Sequence, residues 1–187
     1  MKDLTFLVSR AHPLTAWPDP AELVPAVPGR PDILLLTPAA RALQALLAHL
    51  GAGDAIVPVS GFRPHAEQVR LWHDSLRDNG QVFTETYVAY PGCSEHETGL
   101  AIDLGENVPD LDFIRPSFPD TGICGVFKAL APDYGFILRY PGGKEAITGI
   151  GSEPWHFRYV GTPWARFMAD RGLTLEEFWA GRARDAS

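Results

Sequence analysis

The chain has 187 residues, 45% of them hydrophobic, and a formal net charge of −7. This length suits one domain with a sizeable core, and the acidic balance disfavours nucleic acid and other anionic polymers as partners, since both bind basic surfaces. Small peptides or metabolites fit better, and two cysteines are too few for a disulfide framework.

The N-terminal stretch MKDLTFLVSR has one lysine and only a short apolar run before Ser9. A secretory leader needs a longer apolar run, and a membrane span needs roughly 20 such residues in succession. Neither pattern occurs in the sequence, so we predict a cytoplasmic protein without a membrane span. The alternative is a chain whose leader has been trimmed.

Proline and glycine positions predict the extended N-terminal segment and the bounds of the first helix. Residues 1–36 are rich in proline, which removes backbone donors and disfavours helix before it, so they predict an extended segment packed on the body of the domain. Thr37 and Pro38 match an N-cap and a first helical position, and Gly51 closes the helix that they start. A strand follows over residues 55–60.

The rest of the chain alternates irregularly between helices and strands. We predict helices at 64–79, 122–134, from Pro163 onward and at 173–181, and strands at 136–140 and 156–160. The helix from 64 is expected to end at Gly80. Because βαβ units are missing from this pattern, it favours an α+β class over a doubly wound sheet. No repeat or linker divides the sequence, which predicts a single domain over 1–187.

The chemistry-bearing residues are concentrated in three stretches: SGFRPHAEQ at 60–68, SEHETGLAID at 94–103 and EPWH at 153–156. The second stretch ends in a strand-like AIDL, where an acid stands inside an apolar run. Alternation turns Ile102 and Leu104 to one face and Asp103 to the other. Asp103 therefore needs a polar partner on its own face.

A metal ion would be such a partner. A turn at Gly99 could bring His96 back toward Asp103, and His156 begins the predicted strand at 156–160. Two histidines and a carboxylate on loops or strand ends predict a zinc site, because catalytic zinc has three such ligands and an open position. The alternative is a buried, hydrogen-bonded polar cluster.

Two further residues fit a hydrolytic zinc site. Glu153 stands three residues before His156, close enough to take a proton from a metal-bound water and pass it to a leaving amine. Arg63 follows the predicted strand, where a guanidinium can stabilise the oxyanion of a tetrahedral intermediate. Together these residues predict metal-assisted amide hydrolysis. The alternatives are a surface acid for Glu153 and a structural ion pair for Arg63.

The three stretches also resemble a known family. SGFR, S-E-H-x-T-G-x-A-x-D and E-x-W-H are similar to the motifs of the zinc D,D-peptidases of the VanX, VanY and VanXY kind, which share their fold with the Hedgehog signalling domain. The opening FLVSRAHPL resembles the LVNKxHPL opening of VanY-type chains, and the resemblance runs to about residue 161. It implies a small α+β domain whose central antiparallel sheet, flanked by helices, carries one zinc ion.

The resemblance also implies residue roles. It makes His96, Asp103 and His156 the zinc ligands, Glu153 the catalytic base and Arg63 the transition-state stabiliser.

Three other residues stand beside this set. Ser94 and Gln68 match positions that grip the terminal carboxylate or backbone of the substrate, although a capping serine and an exposed glutamine are the alternatives. Cys93 adjoins the motif, but a cysteine nucleophile needs a partner base, and the nearby His96 is better used as a ligand. We therefore do not expect Cys93 to be catalytic.

The implied substrate is a small peptide that ends in D-Ala-D-Ala, either the free dipeptide or a pentapeptide precursor of peptidoglycan. The short acidic chain resembles the VanXY kind, which accepts both, and whose activity deprives vancomycin of its target. An endopeptidase that cuts L-Ala-D-Glu or a cross-link is the first alternative. A non-catalytic zinc domain that only binds is the second, and the presence of Glu153 disfavours it.

Overall fold

A four-stranded antiparallel sheet lies at the centre of the fold, with its strands in the spatial order Ile56–Ser60, Ala101–Glu106, Glu153–Tyr159 and Phe136–Tyr140. The computed structural model describes residues 3–112 and 114–185, without the side chains of 183–185. The outermost residues of the predicted domain, 1–2 and 186–187, lie outside the described residues. The α+β class, with helices flanking this sheet, is confirmed.

The strands of the described residues form two sheets. The central one consists of β3 (Ile56–Ser60), β4 (Ala101–Glu106), β5 (Phe136–Tyr140) and β6 (Glu153–Tyr159), and a small one pairs β1 (Leu23–Pro25) with β2 (Leu34–Leu36). The helices are α1 (Thr37–Leu50), α2 (His65–Tyr87), α3 (Gly122–Leu130), α4 (Glu145–Thr148), α5 (Thr162–Ala169) and α6 (Leu175–Asp185).

One face of the central sheet is apolar. Ile102 and Leu104 on β4 and Phe157 on β6 are fully buried in one core cluster. Leu43 of α1 and Phe127 of α3 belong to the same cluster, so these helices cover this face. Because side chains alternate along a strand, the neighbours Asp103 and His156 point to the other face.

The proline-rich segment is less uniform than predicted. It contains a 3-10 turn at Pro20–Glu22 and the strand β1, which pairs with β2 just before α1. Val24 and Val27 pack against the core cluster. The segment is thus attached to the body, and its packing includes a small sheet that proline content alone does not predict.

Several predicted boundaries were wrong, including the N-cap of α1, which is Leu36 rather than Thr37, and the end of α6, which lies at Asp185 rather than at 181. Helix α2 continues through Gly80 to Tyr87, because this glycine takes a non-helical conformation with φ 79° and ψ 172° and kinks the helix instead of ending it. Helix α3 ends at Leu130 and continues as a 3-10 turn over Ala131–Tyr134.

Strand β6 begins at Glu153, three residues earlier than predicted. Pro154 is tolerated there because the β5–β6 register shifts between Leu138 and Tyr140, next to the Tyr140–Glu153 pair. None of the helices in the described ranges is both long and apolar enough to cross a membrane.

Candidate metal centre and active site

Strand register brings two of the predicted ligands together. Asp103 on β4 pairs directly with His156 on β6, and directly opposed residues of antiparallel strands carry side chains on the same face. Asp103 Oδ1 lies 2.9 Å from His156 Nδ1. Two residues 53 positions apart in the chain therefore meet at one point of the sheet.

The third predicted ligand reaches the same point from a short turn. The residues Glu95–Thr98 form a 3-10 turn that ends at Gly99, whose φ of 69° favours glycine. The turn directs His96 Nε2 to 3.1 Å from Asp103 Oδ2. The other ring nitrogen, His96 Nδ1, lies 2.8 Å from the carbonyl oxygen of Gly61.

Gly61 belongs to the SGFR stretch, and its lack of a side chain has a steric reason. A Cβ atom at this position would lie 2.4 Å from the carbonyl oxygen of Leu34. The backbone at Gly61 comes this close to Leu34 because Phe62 N donates a hydrogen bond to the same Leu34 oxygen, at 2.6 Å. Gly61 can therefore present its own carbonyl to His96 only because it carries no side chain.

The three residues fit a zinc ion. One ligand atom from each of His96, Asp103 and His156 lies within 4.8 Å of the others. Ligands bound at about 2.1 Å to a tetrahedral ion stand about 3.4 Å apart, which is within the 4.8 Å limit found for these atoms. Nitrogen and carboxylate donors are also the set that zinc prefers in catalytic sites.

Glu153 stands beside this group without being part of it. Its Oε2 lies 3.8 Å from His156 Nδ1, and its side chain is 10% exposed. Burial raises the pKa of the Glu153 carboxyl to about 8. A carboxyl that exchanges its proton near neutral pH is suited to general acid–base chemistry.

Arg63 is held in place by two hydrogen bonds. Its Nη1 donates to Gln68 Oε1 and its Nη2 donates to Ser60 Oγ, each at 2.8 Å. Gln68 is fully buried and also donates to the carbonyl oxygen of Ala89 at 2.7 Å. The exposed position given as the alternative for Gln68 was wrong, because its helix face packs under the segment that carries Ala89.

A cavity opens in front of these groups. Its walls include the side chains of Ser60, Arg63, Ser94, Tyr140, Glu153 and Trp155, together with the three predicted ligands. Ser94 is among the residues that line the cavity, whereas Gln68 is not. Trp155 lines the cavity and also belongs to the core cluster.

Cys93 lies next to Ser94 but outside this lining. Burial raises the pKa of its thiol, with a further contribution from the Glu97 carboxylate. A protonated thiol is a weak nucleophile, which supports the expectation that Cys93 is not catalytic.

Sequence reasoning missed a group of buried charges behind His156. Glu95, Arg139 and Arg158 are each at most 1% exposed, and Arg139 also pairs with Glu176 of α6. Burial alone would raise the pKa of Glu95, but the two guanidinium groups hold it well below its usual range. The available signal was two arginines inside the otherwise apolar strands FILRY and HFRYV, since charged residues are fully buried only when paired.

Residues 32–162 match the model of the VanY family, described as D-alanyl-D-alanine carboxypeptidase. The chain belongs to this family. It is therefore an enzyme, a hydrolase among the metallopeptidases, and the alternative of a non-catalytic binding domain was wrong. The matched range contains all three motif stretches.

Individual relatives agree with the family. VanXYC of Enterococcus gallinarum, a bifunctional D-Ala-D-Ala dipeptidase and D-Ala-D-Ala carboxypeptidase, is 43% identical over 92% of this chain and 91% of its own length. The structure of VanXYg in complex with a D-Ala-D-Ala phosphinate analog superposes with a TM-score of 0.91, at 49% identity over 96% of this chain and 72% of that one.

A third relative carries a metal. The structure of a VanY D,D-pentapeptidase mutant in complex with Zn(II) has a TM-score of 0.76 and 29% identity, over 95% of this chain and 99% of that one. The resemblance to the VanXY and VanY kinds that the motifs indicated is thus confirmed over most of the chain.

Proposed function

We propose that this protein is a zinc-dependent D,D-peptidase that hydrolyses free D-Ala-D-Ala and the terminal D-Ala of peptidoglycan pentapeptide precursors. His96, Asp103 and His156 hold one zinc ion per chain in this proposal, and its location is cytoplasmic. One observation carries it: three ligand atoms converge on the wall of a cavity that Glu153 and Arg63 also line.

The relatives support the choice of substrates. VanXYC carries both activities in its name and aligns with nearly the whole of this chain. The VanXYg structure was obtained with an analogue of the dipeptide. Similarity of this extent supports both substrates for the chain.

Glu153 is the proton-transfer group in this proposal. A bound zinc ion supplies Lewis acidity, which lowers the pKa of water and polarises a carbonyl. Glu153, beside His156, takes a proton from the attacking water and passes it to the leaving amine of the terminal D-Ala. Its position within the cavity and next to the ligand group supports this role.

Arg63 and Ser94 complete the substrate contacts. Two of the five guanidinium N–H donors of Arg63 bind Gln68 and Ser60, which fixes the orientation of the group. The remaining donors can stabilise the oxyanion in the cavity that Arg63 lines. We assign Ser94 to the terminal carboxylate of the substrate. Gln68 acts on the substrate through Arg63, which it positions.

The test is release of D-alanine by the zinc-loaded protein, measured in parallel on free D-Ala-D-Ala and on a muramyl pentapeptide precursor. We expect release from both, loss of both after metal removal with a chelator, and recovery with added zinc. L-Ala-L-Ala is the matched control for stereochemistry and should not be hydrolysed.

The other outcomes are informative. Release from only one substrate would reduce the proposal to a dipeptidase or a carboxypeptidase. Release from neither, with zinc bound, would overturn it and direct the search to cross-linked peptidoglycan, the substrate of the endopeptidase alternative.

A further inference from the structure

The buried charges behind His156 centre on one carboxylate. Glu95 Oε1 accepts a hydrogen bond from Arg139 Nε at 2.8 Å and lies 3.1 Å from Arg158 Nη1. The side chain of Glu95 is fully buried. A buried carboxylate is costly unless it is paired, so two arginines are needed to keep this one ionised.

The second oxygen of the same carboxylate faces His156. Three buried side-chain atoms of the described chain have no hydrogen-bond partner: Glu95 Oε2, His156 Nε2 and Arg158 Nη1. The first two stand 3.5 Å apart. A few tenths of an ångström of movement would join them, whereas leaving either atom unpaired in the interior is unfavourable.

The orientation of the His156 ring explains why this contact matters. Its Nδ1 faces Asp103 Oδ1, which belongs to the metal group, and lies 3.8 Å from Glu153 Oε2 beside that group. A neutral imidazole has one N–H and one lone pair. If the lone pair of Nδ1 faces the metal, the proton resides on Nε2 and requires an acceptor, and Glu95 Oε2 is beside it.

His96 shows the opposite arrangement. Its Nε2 faces Asp103 Oδ2, and its Nδ1 lies 2.8 Å from the carbonyl oxygen of Gly61, to which it can donate. The two predicted ligands therefore present different nitrogens to the same point, and each has an acceptor behind it. The acceptor of His96 is a backbone carbonyl, and that of His156 is a carboxylate.

We propose that Glu95 is a positioning residue for the metal site, which accepts the Nε2 proton of His156 and thereby fixes the tautomer and the ring orientation of this ligand. The proposal rests on the assignment of His156 as a ligand under the proposed function. Carboxylates in this position raise the basicity of the ligand and strengthen metal binding.

The carboxylate is itself anchored from two sides. Arg139 donates through Nη1 and Nη2 to Glu176 on α6, at 2.9 and 2.5 Å. Arg158 donates through Nη2 to the carbonyl oxygens of Leu4 and Phe6, each at 3.2 Å. Glu95 thus links the metal site to the C-terminal helix and to the N-terminal segment.

The test compares two variants, Glu95→Gln and Glu97→Gln. Glu97 is a matched control: it is fully buried two residues away, but it accepts from Gly92 N, His65 and Trp17. The zinc dissociation constant is measured by competition with a chromophoric chelator. We expect about 10–100-fold weaker zinc binding for Glu95→Gln and a constant unchanged from wild type for Glu97→Gln.

A purely structural role gives a different result. It would lower the melting temperature of the metal-free Glu95→Gln protein and leave its zinc dissociation constant equal to that of wild type, which would overturn the proposal. Equal weakening in both variants would also overturn it, because Glu97 does not face His156.

A second measurement keeps the test open if Glu95→Gln fails to fold. A long-range ¹H–¹⁵N spectrum of the zinc-loaded wild-type protein reports which ring nitrogen of each histidine carries a proton. We expect a proton on Nε2 of His156 and on Nδ1 of His96, and a proton on Nδ1 of His156 would overturn the inference. Wild-type protein that binds no zinc or releases no D-alanine would instead overturn the proposed function.

Discussion

The two faces of the central sheet use the same strands for opposite purposes. On one face Ile102, Leu104 and Phe157 pack with the helices in a continuous apolar core. On the other face lie Asp103 and His156, which alternate with these apolar residues along the strands and belong to the predicted metal group. Because a one-residue step along a strand changes the face, residues adjacent in sequence differ completely in what they contribute.

The apolar face contributes stability, and the polar face contributes the chemistry. The apolar face holds the register that pairs Asp103 with His156, so the polar face depends on it. The reverse dependence is weak, since a change confined to the cavity wall removes little packed apolar surface. Four substitutions test this division, from the largest expected effect to the smallest.

On the polar face, Glu153→Gln should have the largest effect on turnover. Loss of the proton-transfer group should lower kcat by about 10⁴-fold, with zinc content and melting temperature unchanged, in a D-alanine release assay. Glu145→Gln, at an exposed acid of α4, is the matched control and should keep wild-type turnover. Full activity of Glu153→Gln would remove this residue from the mechanism.

On the apolar face, Phe157→Ala should cost about 3–5 kcal/mol of unfolding free energy, because Phe157 is fully buried between the rings of Phe118 and Phe127. Urea denaturation measures this loss. Phe167→Ala, at a 37% exposed ring, should cost about 1 kcal/mol or less. An unfolding free energy equal to that of wild type would contradict the core role of Phe157, and lost zinc affinity in the folded fraction would show that Phe157 itself helps to hold the register of Asp103 and His156.

At the cavity wall, Arg63→Lys keeps the charge and removes the planar fork that binds Gln68 and Ser60. We expect kcat to fall by about 10²–10³-fold, the range for loss of one oxyanion donor, with little change in unfolding free energy. Arg77→Lys, at an exposed arginine on α2, controls for the exchange itself. A large stability loss in Arg63→Lys would instead indicate a structural ion pair.

Behind the wall, Gln68→Leu should have the smallest effect, a fall in kcat of about 10-fold, since it removes one hydrogen bond to a charged group. A double-mutant cycle with Arg63→Lys distinguishes its two possible roles. If Gln68 acts through Arg63, the second substitution adds little in the Arg63→Lys background. Full additivity, with a raised KM, would restore Gln68 as a direct substrate contact.

Local patterns predicted much of the site because each of its three stretches is compact in sequence. The stretch 94–103 contains two predicted ligands, the glycine that turns the chain between them and the alternation that orients Asp103. Gly99 does take the left-handed conformation that the expected turn required. Short-range rules suffice where the partners are only a few residues apart.

The errors arose where distant segments decide the outcome. Gln68 was predicted as a substrate contact with an exposed side chain as the alternative, yet the segment with Ala89 covers it and it does not line the cavity. Gly80 was expected to end α2, yet the helix continues to Tyr87, which lines the cavity. In both cases tertiary contacts outweighed a local preference.

The sequence by itself determined the α+β class, the donor types of the metal group and the acid beside it, because strand alternation, turn glycines and ligand chemistry are local properties. Only the tertiary structure decided that Glu95 joins Arg139, 44 residues away, and stands behind His156. The physical reason is that a buried charge must be paired, and which partner it meets depends on the register of β5 and β6 and on where the 3-10 turn lies against them.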